Sequence, residues 1–404
     1  MGTSTFVAGE TRPNRSVDLP LTLAVIGLLV FGLIMVFSAS WDFSLSMDKP
    51  ATYMFNRQVL WLALGLAGML LLSRFDYHQL RKWIVPVMLL TILMLVGVLL
   101  MREIRFGAKR SFLDGSIQPS ELAKLVGVIY LSVWLYAKRQ NLHDISFGLL
   151  PLSLILGVIG GLIFLQPDLS AAGTVIIMGG LLFFLAGGDL KQIIFMLVAT
   201  AAVSWLVVQF SATGQARLHD FLAGIKDPTQ ASYHVLRSFE AIVQGGLFGV
   251  GLGNSQSKMT GLPVPPTDSI FSVIVEEFGL FGALAVMSLY AMLIWRGMVI
   301  ARRAPDMLGT LLASGLVAWL GLEALINMAV MVGLMPFAGN ALPFISAGGS
   351  NLTVSLAAVG ILMNVSRQRG AAAENEEEKR RSFGAAFDLR GRNRRRRLSS
   401  PRRA

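Results

Sequence analysis

The chain has 404 residues, of which 54% are hydrophobic and only 15% charged, with a mean hydropathy of +0.63. Soluble domains carry about 25% charged residues, so this composition excludes a soluble globular enzyme and fits a polytopic membrane protein. The formal net charge is +11, and the absence of cysteine excludes a disulfide, an Fe–S cluster and a thiolate zinc site.

Residues 1–18 form a polar N-terminal segment with Arg12 and Arg15, and the apolar run after them is too long for a signal-peptide core. Runs near the ~20 apolar residues that cross a bilayer predict an all-α polytopic integral membrane protein. Ten transmembrane helices are expected, at about 19–40, 58–73, 83–101, 121–137, 147–165, 170–187, 192–210, 270–295, 308–332 and 351–366. An even number places both termini on one side. Arg74, Arg81, Lys82, Lys138, Arg139, Lys191, Arg296, Arg302 and Arg303 all fall in loops on that side, which is therefore expected to be cytoplasmic. Residues 369–404 read as a disordered basic cytoplasmic tail, with Arg392 and Arg394 to Arg397 following an acidic patch at Glu374 to Glu378. Such a tail suits a positive-inside anchor touching anionic membrane lipids better than a nucleic-acid site.

The stretch 102–124 departs from this bias. It is expected outside, yet it holds Arg102, Arg105, Lys109, Arg110 and Lys124. Binding an anionic substrate is one reason for external cations, and pairing with Glu103, Asp114 and Glu121 is the other. Two similar helix starts follow, Gln118-Pro-Ser-Glu121 and Gln166-Pro-Asp168. Proline suits a first helical turn, and an acid there meets the positive end of the helix, so capping alone accounts for Glu121 and Asp168. Glu121 and Lys124, however, are three apart and share a helical face. Ionisable residues near the hydrocarbon boundary are candidates for function.

Residues 211–269 form a large external loop between spans seven and eight. Within it, Tyr233 to Val243 has apolar residues at helical spacing, which predicts a helix lying along the interface. Gly245, Gly246, Gly249, Gly251 and Gly253 follow with no strand before them and no βαβ unit around them. They therefore suit close backbone approach rather than nucleotide binding. Lys258 and Asp268 close the segment, and Asp268 is placed either for chemistry or to cap span eight. In span nine, Glu323 and Asn327 are one turn apart and are expected to serve helix packing. The last external loop, 333–351, carries Pro336, Pro343, Ser346, Ser350 and Asn351. It reads as irregular re-entrant backbone, which must line a cavity or be covered by protein.

Six pieces in this order carry a resemblance: Phe37-Ser-Ala-Ser40; Gly107-Ala-Lys-Arg110 with Gln118 to Lys124; Gln166-Pro-Asp168; Gly245 to Ser255 with Lys258; Thr267-Asp-Ser-Ile-Phe271 with Glu276-Glu277; and Leu342 to Ser350. Together they resemble the SEDS family of peptidoglycan glycosyltransferases (FtsW, RodA and SpoVE) over residues 20–368. The charged tails lean toward the division-type, FtsW-like members. Pro266, Ser269, Ser111, Ala347 and Ser170 depart from the residues usual in that family.

The resemblance implies polymerisation of lipid II on the outer leaflet of the bacterial inner membrane, with release of undecaprenyl pyrophosphate, for cell division or elongation. It also implies a class B penicillin-binding transpeptidase as partner. The chemistry suits the residues. A lipid pyrophosphate already leaves as a stable anion, so the reaction needs cations for that anion and one base for the acceptor hydroxyl. Hydrolases that split an ordinary glycosidic bond need two carboxylates instead. Asp268 is the expected catalytic base. Arg110, Lys109, Lys124 and Lys258 are expected on phosphate, with arginine giving a forked contact. Gln118, Glu121, Asp168 and Ser350 complete the expected substrate site. The α-linked donor and β-linked product imply inversion. No metal-ligand spacing is present, although a divalent cation (magnesium or manganese) between Asp268, another carboxylate and the pyrophosphate is compatible with the chemistry. A lipid II flippase using Glu323 or Asp168 as a proton relay is the alternative, and a catalytically silent scaffold is a third. The concentration of polar groups on one face, rather than at the midplane, favours the enzyme.

Overall fold

The computed structural model describes residues 18–100, 117–210 and 212–368. In chain order the helices are α1 (Leu19–Leu45), α2 (Tyr53–Arg74), α3 (Leu80–Leu100), α4 (Pro119–Lys138), α5 (Leu150–Phe164), α6 (Leu169–Leu185) and α7 (Leu190–Phe210). There follow α8 (Ala212–Lys226), α9 (Tyr233–Gly245), the single turn α10 (Ser257–Thr260), α11 (Ile270–Arg302), α12 (Met307–Met331) and α13 (Gly349–Gln368). Among the described residues, eight helices are long and apolar enough to cross a membrane, and α6 and α7 supply shorter apolar stretches. These ten occupy the places of the ten expected spans.

Local chemistry sets the helix ends. Asp18, Asp168 and Asp306 each accept a hydrogen bond from a first-turn backbone N–H, at 3.1, 3.2 and 2.8 Å. This satisfies donors that have no partner within the helix. Pro20, Pro119 and Pro151 sit in first turns, where a missing N–H costs nothing. The bundle is centred on α12 and α13, whose apolar windows are 72% and 78% buried; the figure of 11% for α2 puts that helix at the periphery. Its exposed Leu64 and Leu71 point outward, as a lipid-facing helix requires.

At one end of the bundle, polar contacts join three connections. Arg296 pairs with Asp18 at 2.6 Å. The Tyr77 hydroxyl donates to Asp306 at 2.8 Å, and the His78 ring bridges Asp76 and Asp306. Asn364, near the end of α13, donates to the Ser73 carbonyl at 3.1 Å.

The other end carries residues 212–269, which are more helical than their polarity predicts. The chain re-enters a helix, α8, directly after α7. It then forms α9, which buries Val235, Ser238, Ala241 and Gly245 on one side. That stripe packs mainly on α11. The glycine run after α9 is threaded into a break in α11 at Gly279, where φ is +67°. There the Val250 and Gly251 N–H groups donate to the Glu276 and Glu277 carbonyls at 2.9 and 3.0 Å, and Leu280 N–H donates to the Gly246 carbonyl at 3.0 Å. A Cβ on Gly249 would stand 2.2 Å from the Glu277 carbonyl oxygen, so only glycine permits this approach.

Candidate functional site

Asp268 lies one residue before the cap position of α11, which Ser269 occupies. The side chain of Asp268 is half-buried. Its backbone is held by residues from later in the chain. The carbonyls of three consecutive residues, Pro266, Thr267 and Asp268, accept from Ala347 N–H at 2.8 Å, Ser346 Oγ at 2.7 Å and Asn327 Nδ2 at 2.9 Å. The Asn327 amide also donates to the Asn340 carbonyl at 2.5 Å, and Asn340 Nδ2 donates to the Glu323 carbonyl at 3.1 Å. Gln58 uses both ends of its amide on the same loop, donating to the Ser346 carbonyl and accepting from Gly348 N–H, each at 3.1 Å. The irregular backbone of residues 340–348 is thus largely covered by protein and hydrogen-bonded to α2, α12 and the segment just before α11. Such support is the condition under which non-helical backbone survives at membrane depth.

Next to it, the starts of α4 and α6 meet. Gln118 N–H donates to Ser350 Oγ at 2.9 Å, and Gln118 Nε2 donates to Asp168 Oδ2 at 3.1 Å. Asp168 also accepts from Ser120 and Ser170 and from the Ala171 N–H at the start of α6. Gln118, Asp168 and Ser350 therefore form one cluster, as their candidacy for a common site requires.

Lys124 sits deeper than an external phosphate ligand would. Its side chain is fully buried, with Nζ donating to Glu121 Oε1 at 2.8 Å and to Glu323 Oε1. Asn351 Nδ2 donates to the other Glu121 oxygen at 3.0 Å. The cation is thus neutralised by two carboxylates, one of them on α12, the helix that also carries Asn327. Lys258 is committed in the same way. It pairs with Glu277 at 2.9 Å and donates to Ser38 Oγ at 3.1 Å and the Gly253 carbonyl at 2.9 Å, with its side chain only 3% exposed. Glu276 alongside accepts from Ser255 Oγ and the Gln256 and Ser257 N–H groups at 2.6, 2.8 and 3.1 Å, which fastens the glycine run. Lys124 and Lys258 thus both meet carboxylates in this structure, where the expectation had placed them on phosphate. Lys109 and Arg110 lie outside the described residues.

Sequence reasoning missed Gln58 and Asn340, gave Asn327 only a packing role, and gave Glu323 that role or a proton relay in the flippase alternative. Polar residues inside apolar spans were the available signal for Asn327 and Glu323. Among the described residues no three His, Asp or Glu side chains come together as metal ligands.

Residues 19–371 match the family described as "Cell cycle protein", FtsW/RodA/SpoVE. A probable peptidoglycan glycosyltransferase FtsW from Geobacter sp. (strain M18) is 40% identical over 367 residues, covering 89% of this chain and 100% of that one. Stage V sporulation protein E of Bacillus subtilis (strain 168) is 35% identical over 369 residues, covering 88% and 99%. A solved chain from work on structural coordination of polymerization and crosslinking by a peptidoglycan synthase complex matches with a TM-score of 0.73 at 27% identity, over 88% and 98% of the two chains. The rod shape determining protein RodA of Thermus thermophilus matches with a TM-score of 0.65 at 26% identity, over the same shares.

Proposed function

This chain belongs to the FtsW/RodA/SpoVE family of cell cycle proteins, and we propose that it polymerises lipid II into glycan strands at the outer leaflet of the bacterial inner membrane. The observation that supports this most directly is the half-buried carboxylate of Asp268, on a backbone clamped at three consecutive carbonyls. A general base must sit in a fixed place within reach of the proton it takes.

Asp268 takes the proton of the acceptor sugar 4-hydroxyl as that oxygen bonds to the donor anomeric carbon. The bond from that carbon to the pyrophosphate breaks, and undecaprenyl pyrophosphate leaves with its electron pair. Attack from the face opposite the α-linked leaving group gives a β link. Of the four cations expected on phosphate, Lys124 and Lys258 pair with carboxylates, so Arg110 and Lys109 are assigned to the pyrophosphate, with arginine suited to a forked contact. A divalent cation, if bound, would be held by Asp268 and the pyrophosphate and would neutralise the charge on the leaving group. A class B penicillin-binding transpeptidase is the proposed partner that crosslinks the new strand, in keeping with the synthase complex to which this chain is similar.

The test is a lipid II polymerisation assay on purified full-length protein, with and without that transpeptidase. Asp268→Asn is expected to lose at least ~100-fold in rate while still inserting in the membrane, since general-base catalysis contributes about 10²–10⁴-fold. Near-normal polymer from this variant defeats the assignment. Movement of fluorescent lipid II across vesicles without polymer supports transport instead.

A further inference from the structure

At the end of the bundle remote from Asp268, α3 begins beside the place where α4 ends, and the two helices pack together. The Tyr136 ring, in the last turn of α4, has two guanidinium groups over it. The Arg81 carbon lies 5.3 Å from the ring centroid and the Arg139 carbon 4.8 Å. Arg81 comes from the first turn of α3, and Arg139 is the residue that ends α4. Lys82 and Lys138 adjoin them in sequence, and all four residues are exposed.

Neither arginine has a carboxylate partner among the described residues. The acids nearest to them in sequence are already engaged. Asp76 accepts from His78 and Gln368, and Asp144 accepts from the Ser146 N–H. The two guanidinium groups stand no farther apart than about 10 Å, the Debye length at 0.1 M salt, so their repulsion is felt. An aromatic ring attracts an exposed cation only weakly. An anion shared by both removes the repulsion and takes a forked contact from each. The bias of basic residues toward cytoplasmic loops explains why they lie at this end, but not why two converge on one ring. Arg139 suits the negative end of α4, whereas Arg81 meets the positive end of α3, so helix dipoles do not explain the pair either.

The surface next to the arginines is apolar. Val85 and Leu89 follow Arg81 at four-residue spacing, hence on its side of α3, and both are exposed, as is Trp83. Tryptophan at the start of a membrane helix marks the headgroup level. The patch therefore joins a place for a phosphate to a wall for an acyl chain, of which a free phosphate ion uses only the first. We propose that Arg81 and Arg139, flanked by Lys82 and Lys138, bind the phosphate of an anionic phospholipid whose acyl chains lie along Val85 and Leu89. In the proposed topology this lipid belongs to the inner leaflet. The site is independent of Asp268 and of polymerisation.

The experiment titrates full-length protein in detergent micelles with phosphatidylglycerol carrying a photoreactive acyl chain, and in parallel with the matching phosphatidylcholine. Labelled peptides are identified by mass spectrometry, which separates this site from lipid held elsewhere on the chain. Labelling of residues 83–93 is expected to saturate with phosphatidylglycerol at a concentration at least ~10-fold below that needed with phosphatidylcholine. Arg81→Gln combined with Arg139→Gln is expected to raise that concentration about 30-fold, each arginine contributing about fivefold. Arg302→Gln combined with Arg303→Gln removes the same charge from exposed positions at the end of α11 and is expected to change it less than about threefold. Excess inorganic phosphate is expected to leave the labelling intact. Equal labelling by the two lipids, or equal loss in the two double variants, reduces the patch to bulk charge and overturns the proposal. Displacement by inorganic phosphate makes it a free-phosphate site and overturns it as well. None of these results bears on Asp268, whose role stands or falls by the polymerisation assay.

Discussion

Lys124 is the residue whose surroundings differ most from what its sequence neighbours suggest. The i, i+3 spacing from Glu121 shows that the two share a helical face, and the 2.8 Å pair bears that out. The second carboxylate, Glu323, was visible only as a charge inside an apolar span. Helical periodicity says which face a residue occupies and not which helix that face meets, so the partner on α12 was not legible. The same limit hid Asn351 and Gln58. Removing one member of a buried ion pair leaves uncompensated charge and costs about 3–5 kcal/mol. Lys124→Met leaves Glu121 and Glu323 facing each other without a cation and is expected to lower the melting temperature sharply, read by thermal unfolding in detergent. A variant with wild-type melting and lost polymerisation would return Lys124 to the phosphate site.

Among the elements, α9 was legible and α8 was not. The buried stripe of Val235, Ser238 and Ala241 repeats at helical intervals; Leu218, Phe221, Leu222 and Ile225 of α8 do so too, but within a stretch read as polar loop. The contact of α9 with the last external loop carries a titratable group. The His234 ring stacks on Phe337 at 4.0 Å between centroids, and the Arg217 guanidinium lies 5.8 Å from the same ring. Burial first, and the charge of Arg217 second, hold the imidazole pKa below its usual value. The folded state therefore favours neutral His234, and the unfolded state binds more protons between the lowered pKa and about 6.5. The contribution of this contact is full above about pH 6.5 and fades as pH falls toward the lowered pKa. Amide hydrogen exchange in α9 is expected to speed up at pH 5.5 relative to pH 7.5 after correction for intrinsic rates. His234→Phe, which keeps the ring and loses the proton site, is expected to abolish the difference. Equal corrected rates in wild type at both pH values would refute this account.

For the whole molecule, composition and apolar run length predicted the all-helical membrane fold, and eight long apolar helices with two shorter ones occupy the expected places. How the spans join at their ends was not legible, because those contacts unite residues distant in sequence, such as Gln118 with Ser350 and Asp268 with Asn327. The orientation proposed from the basic loops has a simple test, since the chain has no cysteine to confuse labelling. Gln230 and Arg303 are both exposed and lie at connections on opposite sides in the proposed topology. Gln230→Cys is expected to react with an impermeant maleimide on intact spheroplasts, and Arg303→Cys only after permeabilisation. The reverse pattern would place the Asp268 end of the bundle inside the cell.

The clamp on Asp268 has a consequence for how the protein is made. A ribosome delivers the chain from its N-terminus, and early parts settle before late ones. Asp268 emerges well before Asn327, Ser346 and Ala347, the residues that hold the carbonyls of 266–268. A nascent chain, or one truncated before α12, can already display the acid and most of the spans. It lacks the parts that fix the acid's backbone. Competence in this architecture is thus the last property to appear during translation, and incomplete products are inert.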